Sequence, residues 1–174
     1  MSRAGRLRLL FAVLLVVLTL DQATKLLARK YLAYEPGRSY LGGIARLEYA
    51  ENRGAFLSLG ADLPAGWREG ILSGLNVLLV VGLAYYLIRG RDLSRWPTFA
   101  LALLISGGLG NLIDRLFRGG AVIDFMILGV GPLRTGVFNI ADLCLTTGAI
   151  LFAFTGASGK KEDPAADAEG AEAR

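Results

Sequence analysis

The first apolar segment of the chain, residues 7–27, reads LRLLFAVLLVVLTLDQATKLL. A bilayer core of about 30 Å requires about 20 apolar residues in helical conformation, and this segment has that length. Three further apolar segments follow at residues 71–88, 97–117 and 137–154. The sequence therefore predicts four transmembrane helices, with both chain termini on the same side of the membrane.

The composition is that of an integral membrane protein. Of the 174 residues, 53% are hydrophobic and 20% are charged, and the mean hydropathy is +0.48. The charges must therefore be separated from the long apolar runs. The predicted fold class is an all-α membrane protein, with four transmembrane helices within residues 1–156, outer loops at 28–70 and 118–136, and a small extracytoplasmic cradle that contains β-strand. Residues 157–174 lack apolar residues for packing and are predicted to form a disordered cytoplasmic tail.

A cleaved signal peptide is an alternative for the first segment, because Arg3, Arg6 and Arg8 precede its apolar core. No small-residue cleavage motif follows that core, and the chain continues instead into Asp21 and Lys25. Retention of the segment as a transmembrane helix is therefore favoured.

Basic residues indicate the orientation. Short clusters stand beside the predicted helix ends on the side of the termini: Arg3, Arg6 and Arg8, then Arg89, Arg91 and Arg95, then Lys160 and Lys161. The other side has as many basic residues, but its first loop is long, and long loops carry less weight in the positive-inside rule. We therefore expect both termini in the cytoplasm.

With this topology, polar residues near the helix ends converge on the outer side. They are Asp21 and Lys25 at the end of the first helix, Asn111, Asp114 and Arg115 at the end of the third, Asp142 at the start of the fourth, and Asn52, Arg53 and Asp124 in the outer loops. Spacings of four residues place Asp21 with Lys25, and Asn111 with Arg115, on one helix face. A structural role and a binding role both remain open for these pairs.

The residue types exclude several chemistries. The chain has no histidine and one cysteine, so a Ser-His-Asp triad, a His-ligated metal site and an internal disulfide are impossible within it. Cys144, inside the fourth segment, is interpreted as a packing residue. We expect no metal and no cofactor.

Asp124 and Asp142 are the most informative acids. An unpaired carboxylate in an apolar membrane segment costs several kcal/mol by rough estimate, so such residues usually have a function. A helix that starts near Val137 would place the Asp142 carboxyl about 8 Å below the helix start. Two carboxylates brought close together cannot both ionise cheaply, so one keeps a proton and the pair can act as base and acid.

The first outer loop is predicted to contain a strand, because residues 44–49 alternate with a period of two. A turn is expected at residues 51–54. The apolar residues 55–59 could then lie on the membrane surface over the site, or belong to an ordinary hairpin.

Five motifs occur in order between Leu7 and about Phe154: Asp21-Gln22-Ala23-Thr24-Lys25, Asn52-Arg53-Gly54-Ala55, Gly110-Asn111-Leu112-Ile113-Asp114-Arg115, Val122-Ile123-Asp124-Phe125 and Phe138-Asn139-Ile140-Ala141-Asp142. With these motifs the chain resembles the lipoprotein signal peptidases of bacteria, also called signal peptidase II. Two positions depart from the common pattern of that family. Ala55-Phe56-Leu57 stands where Ala-Ala-Phe is usual, and Leu143 follows the last aspartate where small or hydroxyl residues are usual. Both departures concern the shape of the pocket rather than the acids.

The resemblance implies a four-helix intramembrane aspartic endopeptidase of the bacterial cytoplasmic (inner) membrane, with its active site on the extracytoplasmic side and no cofactor. It implies removal of the signal peptide from prolipoproteins, with cleavage just before a cysteine that carries a diacylglyceryl group. Asp124 and Asp142 would be the catalytic dyad. The positions implied to bind substrate are Asn52, Asn111, Arg115 and Asn139, and those implied to support the site are Asp21, Lys25, Gly54 and Asp114. The expected partners are membrane-embedded prolipoproteins and the lipid bilayer, without nucleic acid, and the protein is expected to be a monomer.

Two alternatives come from other functional classes. A small proton-coupled carrier would use Asp21, Asp114 and Asp142 as a relay. Carriers, however, generally place acids or broken helices near the membrane midplane, and the charged residues here stop in the outer half of the bilayer. A non-catalytic membrane chaperone or scaffold would leave the acid pair unexplained.

Overall fold

The computed structural model describes residues 1–54, 64–90 and 93–156. The predicted cytoplasmic tail, residues 157–174, and the apolar segment at residues 55–59 lie outside the described residues, as do the departures from the family pattern at Phe56 and Leu57. The described part of the chain consists of four α-helices and a small antiparallel sheet.

The helices are α1 (Arg3–Leu32), α2 (Ala65–Arg89), α3 (Arg95–Phe117) and α4 (Ile140–Gly156). The first begins after Ser2, whose hydroxyl accepts a hydrogen bond from the backbone N–H of Gly5 at 3.1 Å, a common way to satisfy the free donors of a helix start. Both α1 and α2 extend past the apolar segments that predicted them. Their extra turns lie in the more polar flanks, which hydropathy alone does not assign to a helix.

Three of the described helices are long and apolar enough to cross a membrane: α1, α2 and α3. The fourth is shorter, and its 17 residues at a rise of about 1.5 Å each give a length of about 26 Å. It begins at Ile140 rather than near the predicted Val137. The reason is that Phe138 is extended and pairs with the sheet, where its N–H donates to the carbonyl oxygen of Met126 at 2.9 Å.

Helix α3 lies at the centre of the bundle and packs against α1, α2 and α4. Its glycines permit close approach: a Cβ atom on Gly107 would lie 2.5 Å from the carbonyl oxygen of Ala141, and one on Gly110 would lie 2.8 Å from a carboxylate oxygen of Asp21. Cys144 packs against the core of the bundle, in line with its predicted role. Small residues thus bring α1 and α4 against the same stretch of α3.

Large apolar side chains cover much of the outer surface of α1 and α2. Examples are Phe11, Leu15 and Leu78, each more than half exposed. Apolar exposure on this scale is far beyond what soluble monomers show. The bundle is therefore embedded in a membrane, with these side chains in contact with lipid.

The sheet has four antiparallel strands in the order β1-β2-β3-β4: Arg38–Tyr40, Ala45–Asn52, Val122–Val130 and Leu133–Arg134. The predicted strand in the first outer loop is confirmed as β2. Strand β3, from the second outer loop, pairs with β2 so that Asp124 lies opposite Ala50. One face of the sheet packs on the end of α1, where Phe125 contacts a small cluster with Ala28 and Leu32. This packing fixes β3, and with it Asp124, over the end of the bundle.

The opposite end of the bundle is closed by the N-terminus. The Met1 ammonium group donates to the carbonyl oxygen of Leu93 at 2.9 Å, and the buried guanidinium of Arg6 donates to the carbonyl oxygens of Gly90 and Ile88. A cation at the C-terminal end of a helix also interacts favourably with the helix dipole. Arg6 therefore stabilises the end of α2, far from the acid pair.

Candidate active site

Asp142 lies in the first turn of α4, where it takes part in a reciprocal cap with Asn139. The amide oxygen of Asn139 accepts the backbone N–H of Asp142 at 2.8 Å, and a carboxylate oxygen of Asp142 accepts the backbone N–H of Asn139 at 3.3 Å. Such paired contacts satisfy two donors of a helix start at once. They also fix the side chain of Asp142 at the mouth of the bundle.

Asp124 reaches the same place from the sheet. Its carboxylate accepts hydrogen bonds from the side-chain amides of Asn139 at 2.7 Å and Asn52 at 3.1 Å. Asn52 is itself oriented, because its amide oxygen accepts the backbone N–H of Gly54 at 2.9 Å. Only 2% of Asp124 is exposed. Asn139 therefore contacts both acids. Its side-chain nitrogen donates to Asp124, and its side-chain oxygen and backbone N–H form the reciprocal cap with Asp142.

Asn111, on α3, completes the link between the acids. Its side-chain nitrogen donates to Asp142 at 2.7 Å, and its oxygen accepts from the side chain of Asn139 at 3.1 Å. Four elements, β2, β3, α3 and α4, thus contribute to one hydrogen-bonded group. The structure brings together Asn52, Asn111, Asp124, Asn139 and Asp142.

The electrostatic surroundings favour the protonated form of the Asp124 carboxyl group. Burial, and next the charge of Asp142, raise the pKa of Asp124 to about 6, against the smaller opposing effects of the hydrogen bonds from Asn52 and Asn139 and of the Lys25 charge. An acid with that pKa keeps its proton at a pH where an ordinary carboxyl group is ionised.

Behind the acid pair lies a buried charged cluster. The Lys25 ammonium is 2.8 Å from Asp21 and 3.0 Å from Asp114, and none of the three side chains is exposed to solvent. Asp114 also pairs with Arg118 at 3.2 Å. Three of the four supporting residues predicted from the sequence, Asp21, Lys25 and Asp114, are therefore in one cluster next to the acids, whereas Gly54 lies against Asn52.

Arg115 is half-buried and lies within electrostatic range of Asp124 and Asp142. Its Nε atom is buried and has no hydrogen-bond partner among the described residues. The guanidinium is thus held beside the acid pair with donor capacity left for another group.

Sequence reasoning missed some contributors to the site. The Gln22 side chain donates to Asp21 and Asp114 at 3.2 Å each, although it belongs to the quoted motif around Asp21. Two backbone N–H groups, of Ile123 and Ala141, donate to the same two carboxylates. Every non-proline residue has such a donor, so no residue type marks these two in the sequence. Within the part of the chain that the structure describes, no group of three or more potential metal ligands occurs.

The fold and the site define a class: a helical membrane protein with a small sheet and a buried carboxylate pair where the sheet meets the bundle. Comparison with known proteins identifies the family. The sequence model of signal peptidase (SPase) II matches residues 13–157. The chain belongs to the signal peptidase II family.

Similar proteins cover most of the chain. A lipoprotein signal peptidase of Psychromonas ingrahamii is 34% identical over 150 residues, which are 86% of this chain and 84% of the relative. One from Mycobacterium leprae is 37% identical over 152 residues, 84% of this chain and 70% of the relative. One from Streptococcus pyogenes serotype M6 is 35% identical over 144 residues, 83% of this chain and 90% of the relative.

A solved structure has the same fold. It is described as a bacterial membrane enzyme determined by the in meso method, and it has a TM-score of 0.75 and 25% sequence identity over 88% of this chain and 92% of its own. The predicted resemblance to signal peptidase II is therefore confirmed.

Proposed function

We propose that the protein removes the signal peptide from prolipoproteins, as an aspartic endopeptidase whose catalytic dyad is Asp124 and Asp142. Membership of the signal peptidase II family supports the reaction. The observation that carries the catalytic assignment is the side chain of Asn139, which bonds Asp124 and caps the helix turn of Asp142. The comparisons give no support to the alternative of a proton-coupled carrier.

The surroundings of the two acids differ, so we assign Asp142 as the general base and Asp124 as the general acid. Asp142 lies in the first turn of α4, where its carboxylate accepts hydrogen bonds from the side chain of Asn111 and the backbone N–H of Asn139. Asp124 is buried in the sheet, which favours the protonated form. In the proposed reaction, the Asp142 carboxylate removes a proton from water as the water oxygen attacks the scissile carbonyl carbon. Asp124 donates its proton to the carbonyl oxygen.

Collapse of the tetrahedral intermediate then breaks the C–N bond. The leaving amine takes the proton that Asp142 acquired from water, and the intermediate hydroxyl returns its proton to Asp124 as the carbonyl re-forms. Each acid regains its starting state, and no metal enters the proton balance.

Arg115 is proposed to bind the substrate backbone close to the scissile bond. Its guanidinium lies beside the acids and has a buried donor without a partner among the described residues. Asn52, Asn111 and Asn139 are assigned to hold the acids in place and to bind substrate, and cleavage just before a diacylglyceryl cysteine is the specificity that the family implies.

The placement in the membrane is also a proposal. The apolar surfaces of α1 and α2 support a bundle in the bacterial cytoplasmic membrane, with α4 as a fourth, shorter span, the sheet on the extracytoplasmic side and both termini in the cytoplasm. Residues 1–156 would then form one membrane peptidase domain. The proposed partners are membrane-embedded prolipoproteins and lipid, without nucleic acid, and the proposed oligomeric state is a monomer.

The test is cleavage of a diacylglyceryl-modified prolipoprotein by purified protein in detergent. Asp124→Asn and Asp142→Asn keep the size and hydrogen-bonding ability of each side chain but remove the acid. Each is expected to abolish cleavage and to leave the thermal unfolding temperature close to that of the wild type. Glu51→Gln, which neutralises an exposed carboxylate on the neighbouring strand, is the matched control and should cleave normally.

A chelator added to the wild type should have no effect on cleavage. Undiminished cleavage by either aspartate variant would remove that residue from the chemistry. Absence of cleavage by folded wild type would overturn the proposal as a whole.

A further inference from the structure

Lys25 is a fully buried cation whose hydrogen-bonding capacity is used up. Its Nζ atom lies 2.8 Å from an oxygen of Asp21 and 3.0 Å from an oxygen of Asp114, and it donates to the side-chain oxygen of Asn111 at 3.2 Å. An ammonium group has three donors, and all three are accounted for by these neighbours. The lysine therefore has no donor left for substrate or water.

The two carboxylates that Lys25 contacts have a second task. Asp21 accepts the backbone N–H of Ala141 at 2.9 Å, and Asp114 accepts the backbone N–H of Ile123 at 3.1 Å. Ala141 directly precedes Asp142 in the sequence, and Ile123 directly precedes Asp124. Each proposed catalytic residue thus follows a backbone group that is bonded to a partner of the same lysine.

Two similar paths start at the ammonium group, and each runs through one carboxylate to one backbone N–H. Only a few backbone torsions separate each anchored N–H from the Cα atom of the following aspartate, since peptide units are planar. A third path runs through Asn111, which bonds both Lys25 and Asp142. Movement of the ammonium would therefore be passed to both acids, from two different elements.

We propose that Lys25 is a positioning residue that sets the separation and orientation of the catalytic pair. The inference rests on the proposed function, since it concerns the geometry of that dyad. It goes further than a general supporting role, because it names the two anchored N–H groups through which a buried cation controls both acids at once.

A purely structural role gives a different expectation. If Lys25 only neutralises two buried carboxylates, its loss destabilises the bundle, but each molecule that still folds has normal turnover. If it positions the dyad, folded molecules lose turnover, and substrate affinity changes less, because the lysine touches no substrate and reaches the substrate-binding residues only through Asn111. Misplacement of reacting groups by about 1 Å can cost about 100-fold in rate.

The experiment compares Lys25→Met with Arg6→Met. Arg6 is the matched control, since it is also a buried cation of the bundle but bonds only backbone carbonyls at the opposite end. The unfolding temperature, the folded fraction, kcat and KM for a diacylglyceryl-modified prolipoprotein are measured for both. Both variants should unfold at a lower temperature. Lys25→Met should lose about 100-fold in kcat per folded molecule with a much smaller change in KM, and Arg6→Met should keep the kcat of the wild type.

A second variant covers the case in which Lys25→Met does not fold. The triple variant Lys25→Met, Asp21→Asn, Asp114→Asn removes the three fully buried charges, leaves the partly exposed Arg118 with an amide in place of its carboxylate partner, and retains both acceptors for the backbone N–H groups. It should fold and still have a low kcat, because the link between the two acceptors is gone.

Wild-type kcat in the triple variant, or in folded Lys25→Met, would overturn the inference while the proposed function stands. Absence of cleavage by wild type, measured in the same assay, would instead count against the proposed function.

Discussion

Asn139 combines two tasks that can be separated by substitution. Its amide oxygen caps α4, and its amide nitrogen bonds Asp124. Serine is about as good a cap as asparagine, whereas alanine costs about 1 kcal/mol at such a position. Serine is too short to reach across to Asp124 as well.

We therefore expect Asn139→Ser to retain most of the stability and to lose turnover, and Asn139→Ala to lose both. Chemical denaturation and prolipoprotein cleavage, measured on the two variants side by side, check this prediction. Equal turnover of Asn139→Ser and wild type would show that the amide nitrogen is dispensable.

The proton on Asp124 predicts a pH dependence. Because the pKa of this acid is raised to about 6, the acid is protonated below that pH and ionised above it. The value of kcat/KM, which reports on the free enzyme, should therefore fall as the pH rises through about 6. A pH profile of cleavage in one detergent system measures this limb, and the value obtained belongs to the coupled pair.

The hydrogen bond from Asn52 affects the pH at which kcat/KM falls. It favours the ionised form of Asp124, so Asn52→Ala should raise the pKa further and move the limb to higher pH. Tyr49→Phe is the control on the same strand, since the Tyr49 hydroxyl bonds Glu51 and not the acid pair. A limb that moves equally in both variants, or in neither, contradicts the assignment.

At the scale of residues, the sequence was a good guide to side chains and a poor one to backbone. Among the described residues, the five motifs contain every side chain that bonds Asp124 or Asp142, because an amide or a carboxylate in an apolar segment is conspicuous. The N–H groups of Ile123 and Ala141 are not, because their partners depend on how β3 and α4 are placed against α1 and α3. That placement is a property of the assembled bundle.

At the scale of elements, the start of α4 shows that an apolar run does not reveal the residue at which a helix begins. Val137 and Phe138 belong to the same hydrophobic stretch as the helix, and hydropathy alone does not separate them from it. Hydrogen bonds between Phe138 and strand β3 keep this part extended, and the helix then begins at Ile140, with Asn139 as its cap. The order of the helices in the described part of the chain followed from the sequence. The boundary required the sheet, whose strand β3 lies in the second outer loop, away from the strand predicted at residues 44–49.

Close contact between α3 and α4 predicts a strong effect of one methyl group. A Cβ atom at Gly107 would lie 2.5 Å from the carbonyl oxygen of Ala141, next to Asp142, and the backbone there cannot yield without moving α4. We expect Gly107→Ala to cost about 1–3 kcal/mol of stability and to reduce kcat as well.

The control for Gly107→Ala is Gly74→Ala on α2, where an added Cβ atom meets nothing within 4 Å. That change should be neutral or stabilising by up to about 1 kcal/mol, since alanine is the better helix former. Unfolding curves and cleavage rates of the two variants decide the matter. Similar behaviour of both would mean that the α3–α4 contact tolerates expansion.

At the scale of the whole molecule, the number of spans can be measured by the side on which each end is exposed. Cysteine is introduced at Ser2, Ser39 or Gly156 in a Cys144→Ala background, and intact and permeabilised cells are treated with a membrane-impermeant maleimide. With four spans, Ser39→Cys should react in intact cells, whereas Ser2→Cys and Gly156→Cys should react only after permeabilisation. Reaction of Gly156→Cys in intact cells would instead indicate three spans and termini on opposite sides.

The position of the last helix in the chain has a consequence for biosynthesis. A ribosome releases α1, α2, α3 and strand β3, with Asp124, before it releases Asn139 and Asp142. Under the proposed chemistry, a nascent chain that has inserted its first three helices and strand β3 contains Asp124 of the catalytic dyad. It still lacks Asp142 and Asn139, the residue that connects the two acids. A product of interrupted translation that ends before Asn139 is therefore hydrolytically inert, however completely its first three helices have entered the membrane.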